Sequence, residues 1–240
     1  MVAAHDAFDA AAPLVLVGGC NGSGLTLLSL MLNAHPALLC GPDVNLLSHP
    51  AAWLDDGRDS AARLSAILST GPESAGVFPW WPLEPSKLAW YLTSASELRA
   101  GLTDFDSPRA AMRFVHAARC VVEHKTLPVD ASAGHLWVLA RALETDPALR
   151  AVLLMRDGRA VLQSRLRARL SVKAAAMQWV ASAALVHGLL DRFGPQRVHL
   201  LSFEALLQEP LPALSALCGF LGVTDRSEEH TSELQSRLHL

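Results

Sequence analysis

Apolar positions along the chain fall into runs of two different periods. Leu14, Val15, Leu16 and Val17 form a continuous apolar run bounded by Pro13 and Gly18; such a run predicts a strand buried on both faces of a parallel sheet. From Thr26 to Asn33 the spacing changes, with Leu27/Met31 and Leu28/Leu32 paired at i, i+4, which predicts a helix. Arg109–Arg119 predicts a helix with Met112, Val115 and His116 on one side, His116 being a surface or packing residue, and the apolar, β-branched run from Cys120 to His124 predicts a strand. Helices at Leu136–Leu143 and Gln178–Leu190 alternate with strands at Ala151–Met155 and Val198–Ser202. This alternation predicts an α/β fold with a central, mainly parallel sheet.

Between the first strand and the first helix lie Gly18, Gly19, Gly22 and Gly24. A glycine turn feeding a helix N-terminus presents free N–H groups and the positive end of the helix dipole, which suits a phosphate or another anion. Gly19, Gly24 and Thr26 fit the Walker A spacing, but Leu25 occupies the lysine position. That lysine reaches the β- and γ-phosphates of a nucleoside triphosphate. The cradle is therefore predicted and triphosphate chemistry is not, so a P-loop kinase is the weakest of the enzyme readings.

Composition narrows the classes further. The 240 residues carry a formal charge of -3, which does not describe a globally basic nucleic-acid binder. No apolar run approaches the roughly 18 to 20 residues of a membrane span. The first thirteen residues lack the basic and apolar regions of a signal peptide. Cys20, Cys40, Cys120 and Cys218 are far apart and form no CxxC pair, so neither a zinc site nor a disulfide framework is expected. These features predict a soluble cytoplasmic chain with no metal, nucleic-acid or membrane partner, folded as one domain over 1–225. A helical insertion spans about 45–119, and its aromatic residues Trp53, Trp80, Trp81, Trp90 and Tyr91 either line an acceptor pocket or pack the insertion onto the core.

The run from Gly19 to Leu28, GCNGSGLTLL, followed by His35-Pro36 and Cys40-Gly41, resembles the PAPS-dependent sulfotransferases, whose opening motif reads G-x-P-[RK]-S-G-[TS]-[TS]-L-L. It looks most like the tyrosylprotein branch and its bacterial relatives. The resemblance implies a P-loop-containing nucleotide hydrolase-like, three-layer α/β/α fold. It also implies that Asn21, Gly22, Ser23, Gly24, Leu25 and Thr26 hold the 5′-phosphosulfate of 3′-phosphoadenosine 5′-phosphosulfate (PAPS), and that a sulfuryl group passes to a hydroxyl acceptor, small molecule, glycan or peptide. Gly22 and Leu25 depart from the motif: the first carries no basic side chain and the second no hydroxyl. By the same resemblance Asp43 takes the acceptor's proton, and Lys125, in Lys125-Thr126-Leu127-Pro128, stabilises the transferring group. His124 is the second candidate base.

Arg156-Asp157-Gly158-Arg159-Ala160-Val161-Leu162-Gln163-Ser164 matches the family's R-D-x-R-A-x-x-x-S at every specified position, which implies that Arg156 and Ser164 hold the 3′-phosphate. A planar fork of donors beside a hydroxyl suits that task. Arg159, Arg165, Arg167, Arg169 and Lys173 add positive field, while Arg165 and Arg169, four residues apart, read as a solvated helix face. Phe203-Glu204-Ala205-Leu206 resembles the family's Y-E-D-L, with Phe203 near the adenine and Glu204 structural. Arg226–Ser236 reads as the in-frame translation of a widely used sequencing adapter; the natural product is expected to leave this chain at about Thr224–Asp225, making 226–240 a non-native tail. The reading from a different functional class is a nucleotide- or phosphate-binding module without catalysis.

Overall fold

The computed structural model describes residues 13–53, 62, 65, 67, 85–101 and 107–225. Its centre is a five-stranded, wholly parallel sheet in the order β2-β3-β1-β4-β5. The strands are β1 (Val15–Gly19), β2 (Leu38–Leu39), β3 (Leu127–Ala131), β4 (Arg150–Met155) and β5 (Val198–Ser202). The helices, numbered along the chain, are α1 (Leu25–Ala34), α2 (Pro85–Leu88), α3 (Ala95–Gly101), α4 (Pro108–Glu123), α5 (His135–Thr145), α6 (Gly158–Arg167), α7 (Val172–Phe193), α8 (Phe203–Gln208) and α9 (Pro210–Leu221).

Side chains alternate across a strand, so a strand with no polar positions feeds two cores at once. Leu14 and Leu16 enter one apolar cluster with Ala151, Leu153, Leu139 and Val186, under α5 and α7. Val15 and Val17 enter the other with Val152, Leu154, Leu28 and Leu217, under α1 and α9. The result is the three-layer arrangement that the pattern of runs predicts. Leu46, Leu47, Trp53, Leu88, Tyr91 and Met112 join the first cluster, so this part of the insertion packs onto the core. No helix among the described residues is long and apolar enough to cross a membrane.

The chain builds outward from β1 in both directions, with β3 on one side and β4 on the other. Such a reversal opens a crevice at the carboxyl ends of the strands, where ligands of open α/β sheets bind. The β1–β4 register, Val15↔Arg150 through Gly19↔Leu154, sets the glycine turn after β1 beside the segment after β4.

One expectation is overturned. Cys120–His124 is not a strand: Cys120 to Glu123 is the last turn of α4, and His124, at φ 54, caps it in the left-handed region. Cys120 is buried while Val121 and Val122 are exposed, the one-sided pattern of a helix on a sheet. The strand comes after it, at Leu127–Ala131, and includes Pro128 opposite Leu39 of the two-residue β2. The expected tail, 226–240, and the pair Trp80-Trp81 lie outside the described residues.

Leu153 is fully buried in β4. Leu153→Ala is expected to lower the unfolding free energy by about 2–5 kcal/mol, read from denaturant melts. A loss below about 1 kcal/mol would contradict the central place given to that strand.

Candidate active site

The turn from β1 to α1 is shaped by what its glycines must approach. A Cβ on Gly19 would stand 2.6 Å from the Leu154 carbonyl oxygen, and one on Gly24 would stand 2.2 Å from the Phe203 ring. Gly24 is also the N-cap of α1, at φ 101, with no side chain closing the helix end and no acidic residue in the first turn. The first N–H groups of α1 therefore remain available, as an anion cradle requires.

Those groups face a cleft of about 830 Å³ lined by Asn21, Gly22, Gly24, Leu25 and Thr26 from the turn, by Asp43, and by Arg156 and Ser164 from the segment after β4. The two motifs, far apart in sequence, thus share one cavity, whose volume suits a nucleotide-sized ligand. Ser23 differs from its neighbours: it is fully buried, its hydroxyl has no hydrogen-bond partner among the described residues, and it lies toward Gly19. Its side chain is not part of the cleft wall.

Arg156 is held from three sides. Its Nη1 donates to the Gly22 carbonyl at 3.0 Å, its guanidinium lies 4.5 Å from the Phe203 ring centroid, and its own carbonyl accepts from Trp179 Nε1 at 3.0 Å. A fork fixed in this way lowers the ordering cost of gripping a phosphate. Glu204 Oε1 accepts from the Asp157 N–H at 2.9 Å, which ties α8 to the start of α6. Arg159 is ion-paired with Asp157 at 2.7 Å on the exposed surface.

Asp43 follows β2 on the opposite wall. Its Oδ1 accepts from the Asn45 N–H at 2.8 Å, and its carboxyl also bonds to the Ser132 hydroxyl. Burial, with the nearby charge of Asp130, raises its pKa to about 6, although His135, Ser132 and Asn45 oppose the shift. Asp130 and His135 form a buried pair, His135 Nε2 lying 3.5 Å from Asp130 Oδ2 and His135 Nδ1 3.1 Å from the Val17 carbonyl. Burial works against both charges, but the pairing outweighs it: the Asp130 pKa is lowered and the His135 pKa raised. His116, buried in α4 with Nδ1 2.9 Å from the Met112 carbonyl, packs edge-on against Tyr91 at 4.6 Å and is a packing residue.

Lys125 is placed elsewhere. It stands in the turn between α4 and β3, where its ammonium donates to the carbonyl of Asn33, to Asn33 Oδ1 at 2.9 Å, and pairs with Glu123 at 3.3 Å. It lines a second cavity with His35, Trp90, Arg119 and His124. The reason is the misplaced strand. The tip that reaches the cleft belongs to β3 and carries Ala131, Ser132 and Ala133, while Lys125 lies before the strand begins.

Lys87 of α2 also lines the cleft and was not foreseen from sequence. Among the described lining residues it and Arg156 carry the positive charge. A single lysine in an insertion without a motif gives no signal, since only tertiary packing brings α2 over the cleft. Trp90, three residues on, shares the lining and lies against Gly41, where a Cβ would meet its ring at 2.2 Å. Trp90 is therefore a wall of the cleft, whereas Tyr91 is buried and donates to the Pro42 carbonyl at 3.0 Å.

Residues 13–227 match the family model described as the sulfotransferase family, and the chain belongs to that family. Its structure is similar to the sulfotransferase domain of the Synechococcus PCC 7002 olefin synthase, at 21% identity and a TM-score of 0.60 over 90% of this chain and 75% of that one. A sulfotransferase domain from the curacin biosynthetic pathway gives 20% identity and 0.60 over 91% and 76%. A sulfotransferase from Alicyclobacillus acidocaldarius gives 18% and 0.51 over 89% and 82%. These likenesses carry the fold. Family membership makes the chain a PAPS-dependent sulfotransferase acting on a hydroxyl acceptor, and favours neither the kinase nor the non-catalytic binding reading.

Gly24→Ala would force the Phe203 ring, and with it the platform beneath Arg156, to move. A cost of about 1–3 kcal/mol is expected from the positive φ and the overlap, measured by denaturant unfolding. Wild-type stability in this variant would show that the ring gives way freely.

Proposed function

We propose that this cleft transfers the sulfuryl group of PAPS with the turn at Asn21–Thr26 holding the 5′ end, Arg156 and Ser164 holding the 3′-phosphate, and Asp43 serving as the base. The observation that carries the reading is the meeting of the glycine turn, Arg156 and Asp43 in one cavity. The N–H groups at the start of α1 meet charge that builds on the departing phosphate, in a site where donors are already oriented. Ser132 and the Asn45 N–H orient Asp43.

In the transfer, the acceptor oxygen bonds to sulfur while the bridging bond between sulfur and the 5′-phosphate oxygen breaks. The acceptor proton goes to the Asp43 carboxylate, whose raised pKa lets it hold that proton. The electron pair of the broken bond leaves with 3′-phosphoadenosine 5′-phosphate (PAP). Lys87, which lines the cleft, supplies positive charge near the transferring group. The acceptor enters beside Trp90 and Lys87.

Calorimetry with PAP tests the binding half. Arg156→Ala is expected to weaken affinity roughly tenfold to a hundredfold, as for loss of a charge-assisted contact; unchanged affinity would sink the assignment.

Transfer of labelled sulfuryl from PAPS to a panel of phenols, alcohols, sugars and peptides tests the catalytic half. Asp43→Asn is expected to reduce the rate by about 10²–10⁴-fold with PAP affinity retained. Because the base must be ionised, kcat/KM should fall as pH drops below about 6. The stability linkage has the opposite sense. A carboxyl whose folded pKa is raised contributes stability at low pH, and that contribution is lost as pH rises through about 6. A rate that is flat from pH 5 to 7 would remove Asp43 from the reaction.

A further inference from the structure

The glycine turn has no cationic side chain of its own, since Gly22 and Leu25 stand where charge could have been supplied. What occupies the space beside Gly22 is a pair of residues from α6. A Cβ on Gly22 would lie 3.0 Å from Ser164 Oγ and 3.4 Å from Arg165 Cδ. Arg165 therefore crosses against the backbone of the turn rather than extending into solvent, and the solvated-face expectation for it is corrected. It is half-buried, its Nε is fully buried, and that Nε has no hydrogen-bond partner among the described residues. Nor do the ion pairs found among those residues include it. Its charge also reaches Cys20, earlier in the same turn.

A guanidinium that is partly desolvated and lacks a carboxylate partner carries a cost that a bound anion would relieve. Arg165 is set against a turn whose other wall is built to receive one. We propose that Arg165 is the cation of the glycine turn: from the α6 side its field stabilises the 5′-phosphate end of the nucleotide, replacing the charge that the turn itself lacks. This rests on the reading of the cleft as the nucleotide site. Arg167, the last residue of α6, and Arg169, two residues beyond it, are exposed and take no part.

The test is calorimetry of the full chain with two probes, PAP and adenosine 5′-phosphate, at fixed ionic strength. Arg165→Met is expected to weaken both by about tenfold, the effect of one charge acting at a distance through partly solvated protein. Arg165→Lys, which keeps the charge, should stay within about threefold of wild type, and Arg167→Met should match wild type. The proposal is overturned if Arg165→Met binds as wild type does, if Arg165→Lys loses as much as Arg165→Met, or if the loss is confined to PAP, which would move the charge to the 3′-phosphate. Thermal melts establish that each variant is folded, and Arg165→Gln takes the place of the methionine variant should that one not fold. A wild-type chain that fails to bind PAP would sink the nucleotide site itself. Binding that is weakened by Arg156→Ala and untouched by Arg165→Met would sink this inference alone.

Discussion

The parallel ladder between β1 and β4 is the constraint on which the site depends. Five paired positions run from Val15↔Arg150 to Gly19↔Leu154, so the two strands end at the same level. A side chain at Gly19 would collide with the Leu154 carbonyl, and its absence lets the turn pass close over the end of β4. The hydrogen bond from Arg156 to the Gly22 carbonyl, 134 residues apart in sequence, is a direct product of that register. A one-residue slip would exchange the side chains that enter the two cores, since each strand feeds both. The same packing that stabilises the sheet thereby fixes the distance between the glycine turn and Arg156.

Charge in this molecule is placed around the cleft rather than in the turn. The turn offers backbone N–H groups, which stay oriented without side-chain ordering. Positive side chains come from other elements: Arg156 from the end of β4, Lys87 from the insertion, and Arg165 from behind the turn. The acidic side is built over a buried layer. Asp130 and His135 are almost wholly inaccessible, a costly arrangement unless each satisfies the other. His135 Nδ1 faces a carbonyl and so carries a hydrogen, while its Nε2 faces a carboxylate. The pairing holds the Asp130 pKa down and the His135 pKa up against the burial of both. Asp43 is coupled to that pair, and its raised pKa reflects both its own burial and the Asp130 charge beneath it.

Much of this was legible in the sequence, and the failures have a common origin. Continuous apolar runs bounded by breakers identify β1 and β4 because a strand buried on both faces has no competing pattern; β5, at the sheet edge with Leu200 exposed, was legible from its short apolar run alone. Arg156 and Ser164 were singled out by resemblance to the family's R-D-x-R-A-x-x-x-S motif, and both line the cleft. The Cys120–His124 segment misled because β-branched residues favour strands only as far as packing allows. Here Val121 and Val122 face solvent on the last turn of α4. The true strand, Leu127–Ala131, was hidden by Pro128, a residue that central strands exclude but that is tolerated opposite the two-residue β2. Misplacing the strand carried Lys125 with it. Lys87 and Arg165 were illegible for another reason: nothing in their local sequence records that α2 covers the cleft or that α6 lies against a glycine.

Gly22 shows how far a departure from a motif can be compensated elsewhere. Read in sequence it is a missing basic residue, and restoring one there would look like a repair. In the fold its φ of 89 lies in the left-handed region, where a side chain is strained, and the space a Cβ would need is bounded by Ser164 and Arg165. Turn and helix are thus matched: the glycine admits the close approach of α6, and α6 in turn brings a hydroxyl and a guanidinium to the turn. An arginine at position 22 would add a charge while displacing Ser164 and Arg165 from the space they fill beside the turn. The absent side chain at Gly22 and the close approach of Ser164 and Arg165 are thus two sides of one packing arrangement.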